Sequence, residues 1–199
     1  MIRKVTDLKR ECGVIGSADY KIVPKLMFPD YADWYIIFAS NQMVLCFTEK
    51  SKYAKEINAD NWHQVLQRNG VTYGRSDPDL DPCGYRTLMV WQLAEKHYNA
   101  PGIYNKLYGA KGDTMKAKAV ELIALLESSD LDYAFEYDSV AKQRNLKYIT
   151  LPAKINLSSA EFESFYAQAK VSIKGAKPGE TISNQTLKRK FMISPSCTR

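Results

Sequence analysis

Apolar and polar positions alternate along this chain in blocks whose lengths suit helices and strands in turn. Residues 1–33 predict a short helix, a strand-like piece from Cys12 to Ser17 and a connection punctuated by Pro24 and Pro29. Two apolar runs rich in Ile, Val and Phe follow, Trp34–Ala39 and Met43–Phe47, broken by Ser40-Asn41-Gln42; they predict one interrupted strand or two. Asp60-Asn61 precedes a predicted helix from Trp62 to Arg68, which Asn69-Gly70 closes as Gly commonly closes helices. Val71–Gly74 reads as a short strand, and a polar turn then opens onto a helix from about Tyr85 to Tyr98, where Val90, Trp91, Ala94 and Tyr98 share one face. Ala117–Leu126 predicts a second helix, apolar on almost every side except Glu121 and therefore expected to be buried. Tyr133–Phe135 is a strand, residues 138–144 a short helix and Leu146–Leu151 a further strand. Strands alternating with helices over short links predict an α/β fold with a largely parallel sheet.

Composition narrows the class. With 199 residues, 45% hydrophobic and 25% charged, the chain suits one ordinary domain or two small lobes. The longest uncharged apolar run, Trp34 to Ala39, falls far short of the roughly 20 residues that a membrane-spanning helix needs. Of the formal charge of +6, four charges come from Lys188, Arg189, Lys190 and Arg199 in residues 181–199, which hold no acidic residue, so the other 180 residues carry only +2. A basic tail on a near-neutral body is not the clustered, aromatic-laced face that nucleic acid requires, and no nucleic-acid partner is expected. Cys12, Cys46, Cys83 and Cys197 form no CxxC pair, and neither His63 nor His97 stands near them at metal-ligand spacing, so no metal, cofactor or disulfide scaffold is expected.

Open α/β sheets bind ligands beyond the carboxyl ends of their strands, where loops enter helix N-termini and free N–H groups favour anions. Three such junctions are expected: the Ser76–Gly84 turn, the start of the Ala117–Leu126 helix, and Glu136-Tyr137-Asp138-Ser139. In the first, Asp77, Asp79 and Asp81 alternate with Pro78 and Pro82 ahead of Cys83-Gly84. On local chemistry this is a rigid turn whose aspartates cap the next helix. It also admits a ligand, with Gly84 allowing close approach. The spacing does not match a twelve-residue calcium loop. Cys83 at a helix N-terminus would have a lowered pKa and could act as a nucleophile, though no general base accompanies it; a buried structural thiol is the plainer reading. Trp91 and Tyr98 are expected in the core.

Ser76-Asp77-Pro78-Asp79-Leu80-Asp81-Pro82-Cys83-Gly84-Tyr85-Arg86 closely resembles the corresponding turn of the tungstate/molybdate-binding proteins of ABC transporters, the archaeal type also found in some bacteria. The likeness continues, in that family's order, through Gly16-Ser17-Ala18-Asp19-Tyr20, Tyr31-Ala32-Asp33-Trp34, Ser51-Lys52-Tyr53-Ala54, Glu121-Leu122-Ile123-Ala124-Leu125-Leu126-Glu127, Asp132-Tyr133-Ala134-Phe135-Glu136-Tyr137 and Ile155-Asn156-Leu157. It implies a type II periplasmic-binding-protein fold, two α/β lobes that close on a tetrahedral oxyanion. Carried over by position, Leu80, Asp81 and Pro82 of the turn line the anion, with Asp81 the carboxylate that approaches its centre, and the Tyr137 hydroxyl binds an oxo group. The family's second carboxylate falls at Ala119, which implies plain hydrogen-bonded capture with Ala119 contributing through its backbone; Glu121 is expected to be structural.

The resemblance enters the family pattern midway through the first lobe and stops near Gly179-Glu180, which reads as a frame truncated at both ends. The expected organisation is a first-lobe remnant at 1–41, one complete anion-binding lobe at 42–174 and a divergent basic tail at 175–199, with apolar remnant faces exposed. The implied function is the substrate-binding component of an ABC transporter, without catalysis, holding tungstate or molybdate and docking on a membrane subunit at the outer face of the cell membrane or in the periplasm. The alternatives are a free-standing cytoplasmic oxyanion- or protein-binding lobe, and an enzyme using Cys83 or the Asp77/Asp81 pair.

Overall fold

A computed structural model describes residues 2–17, 22–37, 39–174 and 181–185. Contacts divide the chain into two units, one reaching to Ser40 and the other beginning at Asn41. In the first, α1 (Ile2–Thr6) and α2 (Ile22–Leu26) bury Ile2, Val23 and Met27 against Val5, Ile15, Phe28 and Tyr35. The Tyr31 hydroxyl ties the two by donating to the Thr6 carbonyl at 3.0 Å. Neither the strand expected at Cys12–Ser17 nor the one at Trp34–Ala39 forms among the described residues of those runs. A strand needs a ladder partner to satisfy its N–H and C=O groups, and none runs beside either stretch among the described residues. Ile15 and Tyr35 pack into the small core, while Val14 is 92% exposed and Trp34 68%.

The second unit follows the alternating pattern. Its elements are β1 (Met43–Phe47), α3 (Trp62–Val65), β2 (Tyr73–Ser76), α4 (Pro82–His97), α5 (Ile103–Leu107), β3 (Asp113–Lys116), α6 (Val120–Glu127), β4 (Tyr133–Tyr137), α7 (Asp138–Gln143), β5 (Lys147–Thr150), α8 (Glu163–Tyr166), β6 (Lys170–Lys174) and β7 (Thr181–Gln185). The sheet runs β3-β2-β4-β1-β5. β2 is parallel to β3 and to β4, whereas β1 is antiparallel to both β4 and β5. Four strands therefore point one way, with β1 reversed in their midst. Since β2, β3 and β4 each feed a helix, the starts of α4, α6 and α7 all emerge at the same edge.

Side-chain alternation assigns the two faces. Met43, Leu45, Tyr73, Tyr133 and Phe135 join Trp62, Leu88, Trp91 and Leu107 on the α4 side, while Val44, Cys46 and Ala134 meet Leu122, Leu126 and Ala141 on the α6–α7 side. β1 and β4 are covered on both faces, which is why their sequences are apolar throughout except for Glu136. Trp91 and Tyr98 take core places as expected, Tyr98 half-buried and accepting a 3.1 Å bond from Trp62 Nε1. α6 buries Leu122, Ile123 and Leu126 but leaves Val120 and Ala124 exposed, so it is half-covered rather than enclosed.

Several expected boundaries move, among them those of β2 and α4. β2 lies two residues beyond the predicted Val71–Gly74 because Arg75, which looked like the start of a turn, is buried in an ion pair with Asp113 of β3 at 3.0 Å. β3 itself carries no apolar pattern; it is an edge strand with partly exposed side chains. α4 begins at Pro82, three residues before the predicted start, since Pro is well suited to the first helical position. The stretch read as an aperiodic tail contains β7, paired antiparallel with β6; Lys188, Arg189, Lys190 and Arg199 lie outside the described residues. β6 is fastened at both ends: Gln92 of α4 exchanges two bonds with Lys170, and Asp79 accepts the Lys174 N–H at 2.7 Å.

At the amino ends of β2 and β4 a single buried carboxylate joins three segments. Asp132 accepts from Lys52 N (2.9 Å), Thr72 N (2.9 Å) and Thr72 Oγ1 (3.1 Å), while its carbonyl accepts from Ser51 Oγ (2.6 Å). The Ser51-Lys52 sequence is thus a structural device, placed opposite the helix-bearing edge. Asp132→Ala should cost about 3 kcal/mol, because bonds to a buried charge are strong and their donors would be stranded. Urea unfolding should show a lower midpoint at unchanged slope; a loss under about 1 kcal/mol would mean that Asp132 does not hold these segments.

Candidate functional site

The first junction is a self-bonded turn. The Asp77 carbonyl accepts from Leu80 N (3.2 Å) and Asp81 N (2.9 Å), and the Asp77 carboxylate accepts from Asp79 N at 2.8 Å. Asp81 is the N-cap of α4, its Oδ1 accepting from Cys83 N at 3.0 Å. These are the capping roles that local chemistry favoured. Among the described residues, no group of three or more His, Cys, Asp or Glu could hold a metal ion. Gly84 has a packing role of its own. A Cβ there would lie 2.4 Å from the Ser76 carbonyl oxygen and 2.7 Å from the Asp77 carbonyl carbon, so glycine is needed for the helix to pack on the backbone of its own turn.

The second junction is joined to the first by the same carboxylate. Asp81 Oδ2 accepts the N–H of Ala119, the residue before α6, at 2.8 Å. One side chain therefore bridges two helix starts. Glu121 turns back to accept from Lys118 N at 3.1 Å, a structural capping contact as expected. At the third junction Tyr137 is the N-cap residue of α7, and its amide donates to its neighbour Glu136 Oε2 at 3.0 Å. Asn41 accepts from Ser139 N at 3.2 Å and donates to Ser139 Oγ at 2.6 Å. The Tyr137 hydroxyl accepts a close hydrogen bond from Arg86 Nη1 of α4.

The residues singled out from sequence fall unevenly around this edge. Asp81 and Ala119 are in direct contact, and Tyr137 is linked to α4 through Arg86. The Leu80 side chain is 66% exposed and Pro82 is exposed, so these two border the edge without joining its bonds through side chains.

Two groups at the edge escaped the sequence reading. The β2–β4 register pairs Gly74 with Ala134, and two residues further along the same face come Ser76 and Glu136. They are 0% and 1% exposed, and Glu136 Oε1 has no hydrogen-bond partner among the described residues. Burial pushes the Glu136 carboxyl up to about 7; the Asp81 charge adds to this, and the bond from Tyr137 N opposes it. A glutamate inside an otherwise apolar strand was the available signal. Cys83 is fully buried, with Sγ 3.6 Å from the Phe135 carbonyl oxygen. Burial, then Glu136 and Asp81, push its thiol far up, the reverse of the lowering expected at a helix start.

A model of the bacterial extracellular solute-binding protein family matches residues 2–177, and the chain belongs to that family. It is 51% identical over 183 residues to an uncharacterized solute-binding protein of Petrotoga mobilis, covering 92% of this chain and 57% of that one. It is 45% identical over 203 residues to the molybdate/tungstate-binding protein WtpA of Pyrococcus abyssi, covering 91% of this chain and 58% of WtpA. The chain spans somewhat over half the length of these relatives. Among solved structures, the periplasmic molybdate-binding protein of Azotobacter vinelandii aligns with a TM-score of 0.46 at 18% identity, over 67% of this chain and 60% of that one.

The raised Glu136 carboxyl has a definite consequence for stability. The native state keeps a proton that the unfolded chain, with an ordinary value of 4.5, releases, so stability falls as pH rises from about 4.5 to about 7. At about 1.36 kcal/mol per pKa unit, this reaches about 3 kcal/mol above pH 7. Glu136→Gln should remove that slope, making the variant the more stable protein at pH 8 relative to its own value at pH 5. Parallel urea curves for the two proteins at both pH values test this; identical pH slopes would refute it.

Proposed function

We propose that this chain supplies one lobe of an ABC-transporter receptor for a tetrahedral oxyanion, tungstate or molybdate. Residues 42–174 form the anion-binding lobe in this reading, residues 1–41 belong to the first lobe and 175–199 are the divergent basic tail. The observation that carries it is the Asp81 carboxylate bridging Cys83 N and Ala119 N, for it marks two helix starts that jointly satisfy one oxyanion-like group. Capture exchanges the Asp81–Ala119 bond for one from Ala119 N–H to an oxo group, with the Leu80-Asp81-Pro82 turn closing over the anion and Asp81 turned toward its centre. The Tyr137 hydroxyl gives a further donor. Binding replaces the anion's water with donors already in place, and selects by their spacing. With Ala119 where the resembled family has a carboxylate, hydrogen bonds carry the affinity. The family's description as extracellular supports an intact receptor outside the cytoplasmic membrane, handing its anion to a membrane subunit. The name of the Pyrococcus relative supports the choice of anion.

Titration calorimetry with tungstate, molybdate, sulfate and phosphate tests the reading. Saturable heat is expected with the first two alone, and Tyr137→Phe should weaken binding about tenfold, the value of one hydrogen bond of about 1.4 kcal/mol to a charged partner. Equal heats with sulfate or phosphate would defeat the proposed specificity, and no heat with any anion would defeat the reading itself.

A further inference from the structure

Arg86 is quoted in the sequence only as the last residue of the turn, yet it joins the first junction to the third. It stands in the second turn of α4, whose N-terminal end is held by Asp81 and by the close packing of Gly84 on its own turn. From there its guanidinium donates to the Tyr137 hydroxyl and lies 5.5 Å from the Tyr137 ring centroid and 5.4 Å from that of Tyr85.

We infer that Arg86 is a positioning residue of the oxyanion site, fixing the Tyr137 hydroxyl as a hydrogen-bond donor; the inference rests on the function proposed above. A guanidinium has five N–H donors and no acceptor, so the Tyr137 oxygen must accept from it. The phenolic hydrogen is then turned away from the guanidinium and donated to the next acceptor. Without Arg86 the hydroxyl could rotate and present a lone pair, which repels an oxo group. With Arg86 it presents a hydrogen, which is what an oxyanion without protons of its own requires. Burial keeps the phenol protonated, so this hydrogen persists across the physiological range. The guanidinium is permanently charged, so a compensating positive charge also stands one residue behind the anion. A lysine would restore the charge but not the planar fork of donors.

The test is a double-mutant cycle read by molybdate calorimetry on the full chain, comparing the wild type with Arg86→Gln, Tyr137→Phe and both together. Arg86→Gln should weaken binding about thirtyfold in the wild-type background but about threefold once the hydroxyl is gone, the remainder being lost charge. Arg86→Lys should fall between. Should Arg86→Gln not fold, as judged by circular dichroism, Arg86→Lys carries the same cycle. A merely structural role would not move the second readout, the Tyr137 ¹³Cζ resonance, assigned by its loss in Tyr137→Phe; it should shift in Arg86→Lys. The same fold-loss in both backgrounds, or an unmoved resonance, overturns the role of Arg86 while leaving the oxyanion reading intact. A wild-type chain that gives no heat with molybdate overturns both.

Discussion

Every strand-to-helix junction leaves backbone N–H groups that need an acceptor, and here side-chain carboxylates supply an acceptor at each of the three junctions on the helix-bearing edge. Asp81 serves Cys83 and Ala119, Glu136 serves Tyr137, and Glu121 serves Lys118. The arrangement meets the requirement that buried polar backbone be paired. It also makes the edge a place where anions are already welcome, since the protein's own carboxylates occupy it. Asp81 holds two elements distant in sequence with two oxygens, and Glu136 lies close enough to feel its charge.

The apolar middle of the sheet separates two polar centres of different kinds. At the amino ends of β2 and β4, both Asp132 carboxylate oxygens are bonded, and the segments they join are fixed. At the carboxyl end of β4, Glu136 keeps one buried oxygen without a partner among the described residues. Buried polar groups left unpaired cost stability, and they gather where a site needs groups whose state can change. The fixed end bears the cost of the adjustable one.

Much of this was legible in the sequence where apolar periodicity was strong. Met43–Phe47, the long helix through Trp91, and the strand at Tyr133–Phe135 all declare themselves by burial on both faces or along one stripe. β3 and the end of β2 did not, because Arg75, Asp113 and Lys116 are charged residues in strands, admitted by an ion pair and an edge position that no one-dimensional pattern records. Trp34–Ala39 shows the converse: apolar enough for a strand, it has no neighbour to pair with among the described residues. The capping roles of Asp77 and Asp81 followed from their spacing to Pro82 and the helix start. The bridge from Asp81 to Ala119 spans 38 positions and depended on the parallel order of β2 and β3, so only the fold could reveal it. Arg86 and Glu136 were hidden for the same reason, each looking like the polar fringe of a neighbouring motif.

The attachment of β6 gives the turn a reach beyond its own size. Gln92 grips one end of that strand and Asp79, which lies inside the Leu80-bearing turn, grips the other. Turn, helix and strand are thus fastened in series, with the aspartate that precedes Leu80 as the joint between turn and β6. Lys174 meets that aspartate twice, through its backbone N–H and, at 3.5 Å, through its exposed ammonium group, so a label on this side chain would stand directly beside the turn and, under the function proposed above, would report on it from outside.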